Sequence, residues 1–115
     1  MSDFLNISDF LLPVNRAELS YDQSYKDNQI GKTIRVYEDE FPDLSDVQIV
    51  LVGCGEQRGA GMVGSESEGP AAIRRHFFGM YYWHTDIQVA DIGNVKAGSS
   101  FTDSYAALRT IINEL

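Results

Sequence analysis

The residues best suited to chemistry lie in one stretch, Gly53-Cys54-Gly55-Glu56-Gln57-Arg58-Gly59-Ala60-Gly61-Met62-Val63-Gly64. A thiol, a carboxylate and a guanidinium fall close together there. With Gly69 the stretch holds six glycines before Pro70, so its backbone is costly to order. A loop of this kind at the carboxyl end of a strand is where open α/β sheets place ligands. Glu56 and Arg58 should therefore rim a cleft, as substrate or partner contacts or as plain surface charges. Cys54 would need a nearby base to act as a nucleophile. His76 and His84 are the only histidines, and neither is placed by sequence to supply that base. Small-residue packing at a tight turn is the reading for Cys54.

Other patterns carry less. Gly59-Ala60-Gly61-Met62-Val63-Gly64 spells G-x-G-x-x-G, but in a dinucleotide fold those glycines join strand directly to helix. Here the preceding strand should end near Gly53 and the helix begin near Pro70. Glu66 and Glu68 would also repel a pyrophosphate. A small nucleotide-binding domain is thus the third of three functional readings. Gly31-Lys32-Thr33 lacks the earlier glycine of a P-loop, since Lys26 stands at that position. His84-Thr85-Asp86 offers two ligand types but no further His or Cys cluster to complete a metal site.

Composition narrows the class. The chain has 115 residues and a net charge of −8, with 43% hydrophobic and 23% charged residues, ordinary values for a globular domain. Residues 1–46 hold ten acidic and four basic residues, and residues 47–115 hold seven and five. Nucleic-acid binding through a basic surface is disfavoured. One cysteine allows no internal disulfide. The start, Met1-Ser2-Asp3-Phe4, has no signal-peptide pattern, and no apolar run has membrane-spanning length. The expected location is the cytoplasm, with no membrane partner.

The elements that must position the loop follow from periodicity. Phe4, Ile7 and Leu11 predict a helix over 3–12, ended by Pro13. Residues 15–30 read as loop or weak helix, 32–37 as a short strand and 38–46 as an acidic connector. The apolar run 47–53 predicts a strand buried on both faces. A helix over 70–80 follows, with Pro70 at its first position and an apolar face of Ile73, Phe77 and Met80. One of Arg74 and Arg75 faces solvent in this reading, and the other is free to pair, for example with Glu68. A second strand spans 87–92. A last helix over 102–115 is capped by Thr102, with Tyr105, Leu108, Ile112 and Leu115 as its apolar stripe. Two units result: an N-terminal helix and acidic, mostly irregular arm over 1–46, and a βαβα portion over 47–115. Alternating strands and helices imply parallel strands with right-handed crossovers. Two parallel strands rarely complete a sheet, so more chain is expected after Leu115.

Three segments carry a family resemblance: Val50-Leu51-Val52-Gly53, Glu68-Gly69-Pro70-Ala71-Ala72-Ile73-Arg74, and Asp91-Ile92-Gly93-Asn94-Val95. In order and spacing they resemble the amino-terminal part of the arginase, agmatinase and formimidoylglutamase (ureohydrolase) family. The match runs from about Phe41 to Leu115, and more loosely from Phe10-Leu11-Leu12-Pro13-Val14. The Glu-x-Arg-Gly loop and Tyr82-Trp83-His84 are most similar to the formimidoylglutamase branch.

The resemblance implies a three-layer α/β/α fold with a mainly parallel sheet. Gly69, Pro70, Arg74, Asp91, Gly93 and Asn94 are then its structural signature residues. It also implies hydrolysis of guanidino or formimino C–N bonds with two Mn²⁺ ions, which make water nucleophilic near neutral pH. The family's Gly-Gly-x-His, Asp-x-His-x-Asp and Asp-x-Asp-x-x-Asp motifs do not occur in this sequence, so no catalytic or metal residue carries over. The expectation is an inactive amino-terminal fragment, taking a small-molecule substrate only at full length. The alternative is a standalone interaction module. Either should self-associate through uncovered edges.

Overall fold

The structure, a computed structural model, describes residues 7–19, 25–61, 67–81 and 86–115. In chain order these form a 3-10 turn Ile7–Phe10, β1 Leu11–Leu12, α1 Arg16–Leu19, α2 Ile30–Thr33, β2 Arg35–Val36 and β3 Ile49–Gly53. A second 3-10 turn Arg58–Ala60, α3 Gly69–Phe78, β4 Val89–Val95 and α4 Phe101–Glu114 follow. This is a small α/β domain built on a mixed, open, four-stranded sheet. Among the described residues no helix is long and apolar enough to cross a membrane.

β4 is the hub. β3 runs parallel along one edge, Ile49 opposite Val89 and Gly53 opposite Asn94, with the register shifting between Leu51 and Gly53. The other edge is shared. β2 pairs parallel with its first half, Arg35 opposite Ala90, and β1 pairs antiparallel with its last residues, Leu11 opposite Val95. The segment 3–12, predicted as one helix, is therefore a 3-10 turn followed by a strand over its described part, residues 7–12. Leu11 is buried in the sheet rather than on a helix face, because β4 offers an open ladder at Asn94 and Val95. The segment 32–37 likewise divides, α2 ending at Thr33 and the strand shrinking to Arg35–Val36.

Side chains alternate along a strand, and β3 divides them between two apolar clusters. Leu51 packs with Phe78 of α3 and with Leu19, Ile30, Ile34 and Val36. Val50 and Val52 pack with Leu11, Ile92, Val95 and Ile111 of α4. Phe78 and Ile111 are fully buried.

Both long helices bury only part of the predicted face: Phe77 of α3 and Leu108 of α4 pack against the core, and other predicted residues turn outward. On α3 the buried residues are Arg74 and Phe78, while Ile73 is 70% and Met80 56% exposed. On α4 Ser104 and Ile111 are buried, with Ala107 and Leu108 half-buried against the core. Tyr105, Ile112 and Leu115 are about half exposed. Each helix is rotated by about one residue and turns inward a polar side chain that finds partners there, Arg74 with Asp91 and Ser104 with Glu56. The α4 cap also sits earlier than Thr102: Ser100 accepts a hydrogen bond from the Asp103 amide.

Gly93 has φ of +91°, and a methyl group there would sit on the Leu12 carbonyl oxygen. Gly61 has φ of +80° with open space around it. Both Gly→Ala changes incur left-handed strain of about 1–2 kcal/mol. Only Gly93→Ala must also separate β1 from β4. Its urea midpoint should therefore fall well below that of Gly61→Ala, and equal midpoints would refute the close approach.

Candidate functional site

The glycine loop leaves the carboxyl end of β3 and returns at the start of α3. Pro70 fits that start because it has no N–H to leave unsatisfied. One turn on, Arg74 reaches beneath the helix to Asp91 in β4. Its Nε donates to Asp91 Oδ2 at 2.6 Å and its Nη2 to Asp91 Oδ1 at 2.9 Å. Nη1 donates to Asn94 Oδ1 at 2.6 Å, and Nη2 also to the Gly93 carbonyl at 3.1 Å. Asp91 Oδ1 accepts the Gly93 amide as well. The two side chains are 7% and 0% exposed. A bidentate fork of this kind is the strong form of ion pair. Its burial demands good geometry and further hydrogen bonds, which Asn94 and Gly93 supply.

Gly53 completes the arrangement from β3. A methyl group there would collide with Asn94 Oδ1 and crowd the Arg74 guanidinium. Gly53, Gly69, Pro70, Arg74, Asp91, Gly93 and Asn94 are thus brought together at one end of the sheet. The predicted Arg74–Glu68 option is not used. Arg75 is the exposed member of the arginine pair.

Beside this cluster lies a cavity of about 510 Å³ between β3 and α3, lined by Leu51, Gly53, Cys54, Pro70, Ile73 and Arg74 among others. Cys54 is half-buried and unpaired, consistent with packing at a turn.

Glu56 and Arg58 lie outside that cavity lining. They join each other: Arg58 Nε donates to Glu56 Oε2 at 3.0 Å and Nη2 to Oε1 at 2.6 Å. The Glu56 side chain is only 2% exposed. It also accepts from the Arg58 amide and from Ser104 Oγ at 2.6 Å. Arg58 continues to the carbonyls of Gly98 and Ser99. The pair ties the loop to the start of α4. Ser104, the third member, was not singled out from the sequence. The available signal was its position on one helix face with Ala107, Leu108 and Ile111. The Arg58 guanidinium, then the Ser104 hydroxyl, hold the Glu56 carboxyl at about 2 against an ordinary 4.5.

A wider cleft of about 770 Å³ beside β2 includes Arg16, Lys32, Arg35, Asp43 and Asp46 in its lining. Arg16 pairs with Glu38, both half-buried, and Arg35, half-buried, pairs with the exposed Asp46; partly solvated pairs of this kind contribute modestly.

Among the described residues no three His, Cys, Asp or Glu side chains come together as a metal-holding group. Asp91 is committed to Arg74 and Glu56 to Arg58. Among the described residues the two Mn²⁺ ions implied by the resemblance find no donor set. His76 is exposed on α3. His84, with Tyr82, Trp83, Thr85 and Gly64, lies outside the described residues. No protein-family model, curated protein or solved structure matches this chain.

Two outcomes are expected. Arg74→Met should cost about 3–5 kcal/mol, because it strands a buried carboxylate. Adding Asp91→Leu should recover part of that loss in urea unfolding, and strictly additive costs would refute the coupling. The folded Glu56 value lies below the unfolded one. Its stabilisation is therefore complete above pH 4.5 and lost as pH falls toward 2. Glu56→Gln should flatten that acid limb of stability, and an unchanged slope would contradict the assignment.

Proposed function

We propose that this chain is the amino-terminal part of an arginase-like, metal-dependent hydrolase of guanidino or formimino C–N bonds, and that it is inactive by itself. One observation carries the reading. The Gly-Pro-x-x-Ile-Arg and Asp-x-Gly-Asn segments, read from sequence as two separate signatures, meet as one hydrogen-bonded cluster through Arg74, Asp91 and Asn94. Signatures joined by one interaction are more specific than signatures that only share an order.

A three-layer α/β/α arrangement with a mainly parallel sheet belongs to this reading. The division of β3 side chains between two clusters and the parallel β3–β4 and β2–β4 pairings support it. The cavity beside Gly53 and Cys54 lies at the carboxyl end of β3, where open α/β sheets bind ligands. In this reading the described residues form the frame of an active-site mouth. Metal ligands and chemistry come from sequence this chain lacks, and the whole protein works on a small molecule in the cytoplasm.

A second reading, a standalone non-catalytic interaction module, is favoured by a specific feature. Among the described residues β3 pairs with β4 alone, and Ile49 and Ile73 beside it are exposed.

The purified 115-residue chain with Mn²⁺ should release no urea or formamide from arginine, agmatine or formimidoylglutamate. A reading frame extended through Gly-Gly-x-His and Asp-x-His-x-Asp should encode a product that does. Turnover by the short chain, or a stop codon directly after Leu115, would overturn the proposal.

A further inference from the structure

We draw no further inference here: the strongest candidate, the cavity of about 510 Å³ along the open edge of β3 beside α3, is walled mostly by apolar side chains, its charged neighbours Arg74 and Asp91 are already paired with each other, and nothing in the structure shows what covers it.

Discussion

A guanidinium and a carboxylate drawn out of water beneath a helix tolerate little freedom of placement. Their attraction offsets the cost of dehydration only when the fork is close to ideal and the remaining donors are satisfied. In this protein that constraint falls on Arg74 and Asp91, and other features follow from it. Helix α3 must turn Arg74 inward, so Ile73 turns outward. Asn94 must accept the third donor, so the chain bends at Gly93, where the Leu12 carbonyl leaves no space for a side chain. Gly53 must lack a side chain because Asn94 Oδ1 and the guanidinium occupy the space. One ion pair thus sets a helix rotation, a turn and the composition of two strand positions.

The Glu56–Arg58–Ser104 group does for α4 what Arg74 does for α3. A short loop rich in glycine would ordinarily be the least ordered part of such a fold. Here a nearly buried carboxylate gathers donors from its own loop and from Ser104. The described start of the loop, around Glu56 and Arg58, is tied to α4 through Ser104. Both helices bury a polar group that has partners, and both leave apolar residues facing outward. The groove beside β3 and the exposed row on α4 are consequences of satisfying these interior polar groups.

The architecture carries function in an indirect way. The described carboxylates Glu56 and Asp91 are engaged with arginines, and in the proposed reading this part of the molecule supplies shape and rigidity. The cavity at the end of β3 has apolar walls and one buried ion pair at its side. It suits a frame on which a reactive centre is completed, or a surface on which another chain is seated.

The elements over 47–115 were legible from the sequence, because runs such as Ile49-Val50-Leu51-Val52 and a proline at a helix start act locally. The nearness of Arg74 to Asp91 was not legible, since hydrogen bonds between residues 17 positions apart leave no periodic trace. The helix faces misled for the same reason: periodicity counts apolar residues and cannot register that Arg74 or Ser104 has a partner inside. The pairing of Glu56 with Arg58 was not legible either, because sequence reports charge but not whether two charges meet. Leu11-Leu12 joined a sheet instead of a helix because β4 had an edge to offer. The sequence by itself determined where β3, α3, β4 and α4 lie along the chain, since local propensity and patterning suffice for that. Which faces they bury, and which charged groups are left for function, only the tertiary structure decided, because burial of a charge depends on a partner that folding must first bring near.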